Sequence, residues 1–271
     1  MTGRLIVCPT PIGNLEDVTL RVLAALRDAD IVACEDTRRT RVLLDRYGVK
    51  AHLVSYHEHN EVQRAGELVA RMRDGAVVAL VSDAGMPLVS DPGSVLVKAC
   101  VAAGLAVEVL PGPSAALSAL VASALPSDRW RFTGFLPRKR SELLQVFSSP
   151  ETVVAFESPR RVASSLDVLS SVDPDRPVAV CRELTKLHEE VVRGSASELA
   201  ARYRGGEPLR GEVVLVLGAA PASVPDLAPA IDAVRRLVDA GARPRVAAGV
   251  VAELTGARAN ELYRAVSASP D

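Results

Sequence analysis

The chain has 271 residues, 48% of them hydrophobic and 24% charged, with a formal net charge of −1. That length supports one large or two ordinary domains with a real core, and the composition excludes a disordered chain, which carries fewer apolar residues and more net charge. Near-neutral charge argues against a uniformly basic protein that coats nucleic acid, but leaves room for a local basic patch. In chain order, short Val/Leu/Ile runs predict strands over 5–8, 31–34, 52–56, 77–81 and 107–110. Each is apolar on both faces, as strands buried between helices are. Helical patterns fill the gaps over 18–29, 37–47, 61–73 and 92–103. For the last of these, Asp91 suits the N-cap, Pro92 the first turn and Gly104 the exit. The alternation predicts an α/β domain with a largely parallel sheet over 1–113.

Past residue 113 the texture shifts. A small-residue helix over 114–124 precedes strands over 130–135, 152–156, 178–182, 190–193 and 212–217, with helices over 159–170 and 197–203. This predicts a second α/β domain, 114–220, with more hairpin-like pairing. The stretch GAAPASVPDLAP reads as a linker. Residues 226–271 read as a purely helical domain: one helix to Ala240, a stop at Gly241, then two short helices. Four cysteines (Cys8, Cys34, Cys100, Cys181) are too few and too scattered for a disulfide framework, and read as reduced core thiols of a cytoplasmic protein. The start, MTGRLIVCPTPIGN, lacks the apolar core of a signal peptide, and no stretch approaches the ~18 apolar residues of a membrane span.

The loops after the strands carry the chemistry, because open parallel sheets bind ligands at the carboxyl ends of their strands. In SDAGMPLVSDPG, Asp83 follows a buried strand and suits a ribose or an amine, while Gly85 lets a ligand approach the backbone. In PGPSAA, Ser114 suits an N-cap, and the helix start behind it either faces a polar ligand or is simply capped. Neither GxGxxG nor GxxxxGK[ST] is present, which argues against a dinucleotide site or a P-loop. His57 and His59 in SYHEHNE form half a metal site with no third ligand; polar substrate contact or a solvated loop reads better, and no metal is expected. In EDTRRTR, acids precede Arg38, Arg39 and Arg41 at a helix start, a poor match to the helix dipole, so phosphate contact stands beside plain surface charge. FLPRKR sets Arg138, Lys139 and Arg140 next to Phe132 and Phe135, which suits phosphate contact and base stacking or a solvated basic turn. FESPRR, CRELTKLHEE and GEVVLVLG add Glu157, Ser158, Arg160, Arg161, Glu183, Lys186, His188, Gly211 and Glu212.

Taken in order, PTPIGNLEDVTLR, CEDTRRT, SYHEHNE, VSDAGMPLVSDPG, LPGPSAA, GFLPRK, FESP and RELTKLHEE closely resemble the 16S ribosomal RNA cytidine 2′-O-methyltransferase family of the tetrapyrrole methylase superfamily. The resemblance covers about residues 5–217, and the tail segments VAELTG and NELYRAV also look similar. It implies two α/β domains of tetrapyrrole-methylase type with a cleft between them, plus a small C-terminal helical domain. It also implies S-adenosylmethionine in that cleft, a homodimer, and methyl transfer to the ribose of a decoding-centre cytidine in the small ribosomal subunit. Carried onto this chain, the cofactor positions are Pro11, Ser82, Asp83, Ala84, Gly85, Ser114 and Ala115, with Ser158, Leu184 and Glu212 from the second domain. The RNA contacts are Arg38, Arg39, His59, Arg138, Lys139, Arg140, Arg160 and Arg161.

The chemistry needs no metal. A sulfonium methyl is already activated, and a ribose hydroxyl needs a nearby base or a charge that stabilises its alkoxide. Asp36, His57, Glu183 and Lys186 are the candidates, with nothing in the sequence to choose among them. Three positions depart from the family pattern: Met86 replaces the usual Thr, Arg160 the usual His, and the segment after Lys139 is short. The competing readings are a small-molecule tetrapyrrole methyltransferase on the same fold and a cofactor-binding protein without turnover. PTPIGN is unlike the glycine-rich loop of the tetrapyrrole enzymes, and the basic clusters have no use there. The tail, with Arg243, Arg245, Arg258 and Arg264, reads equally as an RNA-docking module and as a dimer-stabilising cap.

Overall fold

Strands β1 (Arg4–Val7), β2 (Ile31–Cys34), β3 (Leu53–Ser55), β4 (Val77–Val81) and β5 (Ala106–Val109) form a wholly parallel sheet in the order β3-β2-β4-β1-β5. The computed structural model describes residues 3–205, 209–221 and 227–267. Alternate residues of the strands feed opposite faces. Leu5, Val7, Val78 and Leu80 pack against α3 (Glu61–Arg73) and α4 (Ser94–Ala102) through Leu68, Met72, Leu96 and Cys100. Ile6, Cys8, Ala79 and Val81 pack against α1 (Leu20–Asp28) and α2 (Thr37–Arg46) through Val22, Leu26, Leu43 and Leu44. This double coverage is why the strands read as unbroken apolar runs. The order reverses between β4 and β1, and there the loops after β1, β4 and β5 converge.

A second sheet runs β6 (Trp130–Phe135), β7 (Thr152–Glu157), β10 (Val213–Leu217), β8 (Pro177–Arg182), β9 (Glu190–Ser195). Only β6 and β7 pair in parallel; β7–β10, β10–β8 and the β8–β9 hairpin are antiparallel. One face carries α6 (Arg140–Phe147), α7 (Val162–Ser170) and α8 (Ala196–Tyr203); the other carries α5 (Ala115–Ser123), with Ile12 of the first lobe in the same apolar cluster. Both sheets belong to one compact unit, 1–220; residues 221–271 form another. In the latter, α9 (Ala228–Asp239), α10 (Pro244–Thr255) and α11 (Ala259–Ser267) close on Ala230, Val234, Ala247, Val251 and Leu262. Of the expected linker, residues 222–226 lie outside the described ones.

Helix starts are where expectation and structure part. Helix α4 begins at Ser94 rather than at residue 92, because Gly93 at φ 134° takes the N-cap position and makes no side-chain cap. Asp91 therefore caps nothing. Helix α7 begins at Val162, leaving Pro159 and Arg160 in the turn before it, and α6 is a helix the sequence pattern had not marked. Ser114 does cap α5, accepting from Leu117 N at 3.4 Å, and Ser195 with Glu198 forms a capping box on α8.

Candidate active site

The loops after β1, β4 and β5 are stitched together by their backbones. Thr10 and Gly85 exchange hydrogen bonds of 2.8 and 2.9 Å, and Thr10 Oγ1 donates to the Ser82 carbonyl at 3.0 Å. Gly85 sits at φ 78°, which a side chain would strain. A Cβ on Gly112 would overlap the Pro9 ring, so the β5 loop can lie against the β1 loop only because that position is bare. From the second lobe, the loop after β8 closes on the same place: Asn14 N donates to Thr185 Oγ1 at 3.0 Å, and Gly13 faces Leu184, Thr185 and Lys186.

Between the lobes lies a cavity of about 380 Å³. Ile12, Ala84–Met86, Val89–Asp91, Ser114 and Ala115 line it from the first lobe side, and Phe135, Phe156–Pro159 and Gly211–Val214 from the second sheet. Of the ten expected cofactor residues, Ala84, Gly85, Ser114, Ala115, Ser158 and Glu212 line it, and Pro11, Ser82, Asp83 and Leu184 do not. Pro11 is buried beside the lining Ile12, and Leu184 packs with Ile12 in the same cluster. Ser82 Oγ lies 3.2 Å from the Gly85 carbonyl. The Asp83 carboxylate accepts from Asp36 N at 3.0 Å and pairs with Arg39 at 3.5 Å, which ties the loops after β2 and β4 together.

Two carboxylates of the lining stand outside the cofactor and catalytic residues expected from the sequence: Asp91, which reads there as a helix cap, and Glu157, which reads only as a strand-end acid. Asp91 is pushed up to about 6, chiefly by burial and then by Glu35, against the hydrogen bond from Ser82. Glu157, its side chain fully buried, accepts from Ser158 N at 2.7 Å and Ser165 Oγ at 2.6 Å and pairs with Arg161 at 3.4 Å. The available signal for Asp91 was the glycine two residues on, which delays the helix start and frees the carboxylate.

None of the four catalytic candidates lines the cavity. Two adjoin it: Lys186 Nζ contacts Glu183 Oε1 at 2.7 Å and the lining Glu212 at 3.0 Å, and Glu183 also accepts from Glu212 N at 2.9 Å. Burial opposes the charge on Lys186, but its bonds to Glu183 and Glu212 prevail and hold its pKa above the ordinary value. Burial likewise opposes ionisation of Glu183, yet Lys186 and the Glu212 N–H keep it below the usual carboxylate range. Glu183 sits at φ 51°, and a Cβ on Gly211 would overlap its carboxylate. Asp36 and His57 do not line the cavity, though Asp36 N bonds Asp83, next to the lining Ala84. Asp36 caps α2 and is lowered by its hydrogen bonds with Arg38. The His57 backbone N–H donates to Asn60 Oδ1 at 2.9 Å, and its ring Nε2 lies 3.3 Å from Asn60 Nδ2.

The expected RNA contacts divide sharply. Arg161 turns inward, donating to the Leu136 and Pro137 carbonyls at 3.2 and 2.6 Å, and is a structural tie. Arg38 and Lys139 pair with neighbouring Asp36 and Glu142, and Arg140 bonds Ser171 at 3.1 Å. His59 is exposed, edge-on to His57. Arg138 and Arg160 are exposed and, among the described residues, make no ion pair or side-chain hydrogen bond; they flank the lining residues Phe135 and Pro159. Among the described residues no cluster of three or more His, Cys, Asp or Glu is placed to hold a metal ion, and no helix is long and apolar enough to cross a membrane.

A two-lobed α/β fold with its cavity at the strand ends defines the class. Residues 4–200 match the family model of the Tetrapyrrole (Corrin/Porphyrin) Methylases. Uroporphyrin-III-C-methyltransferase from Thermus thermophilus superposes with a TM-score of 0.56 at 24% identity, over 80% of this chain and 94% of that one, which establishes the shared fold. Ribosomal RNA small subunit methyltransferase I of Mesorhizobium japonicum is 45% identical over 265 residues, 96% of this chain and 90% of the relative. The protein of the same name from Thermotoga maritima is 45% identical over 218 residues, 79% of this chain and 98% of the relative. The chain belongs to the tetrapyrrole methylases and, within them, to the family of ribosomal RNA small subunit methyltransferase I.

Proposed function

We propose that the chain transfers a methyl group from S-adenosylmethionine to the 2′-hydroxyl of a cytidine in the decoding centre of 16S ribosomal RNA, on the small ribosomal subunit. The observation that carries this reading is the inter-lobe cavity, walled by the family's own motif loops, with the unpaired Arg138 and Arg160 close in sequence to its lining residues Phe135 and Pro159. The relatives at 45% identity are ribosomal RNA methyltransferases by name, whereas the tetrapyrrole enzyme shares only the fold at 24%.

The cavity suits the cofactor chemically. Apolar walls from Ile12, Met86, Val89, Val213 and Val214 match a purine face and a thioether chain, and the Asp91 and Glu212 carboxylates match a sulfonium and an ammonium. Met86, where relatives of the family pattern carry Thr, extends the apolar wall. Ala84, Gly85, Ser114, Ala115, Ser158 and Glu212 are the residues in position to touch it; Ser82 and Asp83 hold the loop that does. When bound, S-adenosylmethionine supplies an electrophilic methyl. The chain's task is then to orient the ribose and to stabilise its oxygen as the proton leaves. Lys186, held as an ammonium between Glu183 and Glu212, is the group placed to favour a developing alkoxide. Asp91, poised near 6, is the lining carboxylate placed to take up a proton at neutral pH.

A homodimer in the cytoplasm completes the proposal. The outer face of α5 leaves Leu117 and Val121 exposed at 51% and 81%, an apolar strip that a second copy would cover, and the four buried thiols suit a reducing compartment. Light scattering tests the dimer. For the activity, labelled S-adenosylmethionine is incubated with small subunits from a strain lacking the modification, and the label is mapped. Label on one cytidine ribose is expected; label on a base, or none, refutes the reading.

A further inference from the structure

Phe135 is an aromatic side chain that the strand goes out of its way to expose. In β6, Phe132 pairs with Val154 of β7 and Phe135 pairs with Phe156, so three steps on β6 match two on β7. That extra residue is a bulge, made possible by Gly134 at φ 67°. Strict alternation would send Phe132 and Phe135 to opposite faces. The bulge returns Phe135 to the face of Phe132, and both rings meet Phe156 edge-on, at centroid distances of 4.9 and 5.6 Å. Thr133 Oγ1, inside the bulge, is buried with no hydrogen-bond partner among the described residues. Phe132 is partly buried in the apolar cluster beneath α5, whereas Phe135 stays 61% exposed and lines the cavity. Gly134 faces Ser90 of the opposing loop, so the ring stands where the two lobes meet. An unpaired polar atom and an exposed ring are both unfavourable, and core packing explains neither.

We infer that Phe135 is the platform on which the base of the target nucleotide stacks while its ribose enters the cavity; this rests on the proposed ribose methylation. A 2′-hydroxyl reaches a recessed cavity only if its nucleotide leaves the surrounding stack, and a displaced base needs a new flat partner. The ring is backed by Phe156 and so is held at a fixed tilt. Arg138 lies three residues along the chain and Arg160 beside the lining Pro159, both free for the flanking phosphates. Base–ring stacking is sequence-tolerant, so Phe135 supplies hold and orientation, and selection of the base falls to other contacts.

The test compares wild type with F135A, F135L and F135Y on small subunits lacking the modification, with cofactor affinity by calorimetry and mass by light scattering. F135L keeps an apolar plug but removes the π face; F135Y keeps it. Expected are losses in kcat/KM of roughly 5- to 150-fold for both F135A and F135L, most of it recovered in F135Y, with cofactor affinity and oligomeric state unmoved. Full activity of F135L overturns the inference, because the ring is then only a plug. Loss of cofactor affinity in F135A, or a change in its mass, also overturns it, assigning the ring to the cofactor or to a second copy. Label from wild type with undiminished label from F135L sinks this inference alone; no ribose label from wild type sinks the proposed function and this inference together.

Discussion

Replacing Asp91 by Asn separates what the cavity does for function from what it does to stability. The carboxyl moves from its ordinary 3.8 to about 6 in the folded chain, chiefly through burial. A native pKa above the unfolded one means that the folded state holds the proton more tightly. Stability is then untouched below about pH 4, falls as pH rises from about 4 to 6, and stays lowered above that. Full ionisation costs about 3 kcal/mol at 1.36 kcal/mol per pKa step. The carboxyl is only partly buried, and solvent screening reduces this to about 1–2 kcal/mol. The D91N amide does not titrate, so the variant is the more stable chain at pH 7.5 by that amount, and the difference vanishes near pH 4. Urea midpoints of both chains between pH 4 and 8 measure the gap. Cofactor affinity moves the other way, falling about tenfold or more at pH 7.5, because an amide offers a cation no charge. A variant less stable than wild type at every pH, or a stability gap that does not change with pH, refutes the reasoning.

K186M is expected to lower kcat by about 10²–10³, the usual loss for one group that stabilises a developing oxyanion, and to lower it more than D36A or H57A does; the reverse order refutes the assignment of the Lys186 cluster to the reaction. R138A and R160A raise KM for the small subunit, flatten the salt dependence by about one unit of log–log slope each and leave melting unchanged. R161A instead strands the buried Glu157 and lowers stability by about 3 kcal/mol, read as a drop in urea midpoint; equal behaviour of the three arginine variants removes the distinction. A chain ending at Ala220 is expected to keep cofactor affinity, since the cavity is built wholly from the first unit, and to bind small subunits more weakly; unchanged subunit affinity rejects a docking role for the helical unit.

The strands of the first sheet were legible because burial on both faces leaves a chemical trace, an unbroken run such as VVALV over Val77–Val81. The site loops were legible because their turns demand glycine, for the positive φ at Gly85 and for the close approach of Pro9 at Gly112. What escaped depends on phase and facing. Asp91 sits in a string, Ser-Asp-Pro-Gly, whose local grammar reads as a helix cap; Gly93 moves the start, and tertiary burial turns the carboxylate into the cavity. Arg160 and Arg161 are chemically equal neighbours, and only the start of α7 at Val162 decides that one faces solvent and the other Glu157. Phe135 changes face through a one-residue bulge, which alternation along the sequence cannot register. Ser82 and Asp83 lie in the motif, and their hydrogen bonds with the Gly85 carbonyl and with Asp36 N hold the loop that lines the cavity.

The near-zero net charge and an RNA partner are reconciled by how the arginines are used. Arg38, Arg39, Lys139 and Arg161 are each answered by a nearby acid: Asp36, Asp83, Glu142 and Glu157. Such pairs cancel at a distance, so these four cations add little to the field felt by an approaching RNA. Arg138 and Arg160 are exposed without such a partner among the described residues, and each is close in sequence to a lining residue, Phe135 and Pro159. Phosphate contacts position a nucleic acid and base contacts select it. Phosphate contacts of this kind carry no sequence information, so, on the proposed function, discrimination rests on the fit by which one nucleotide is held between the lobes. The fold supplies that fit through three stitched loops on one side and a bulged edge strand on the other.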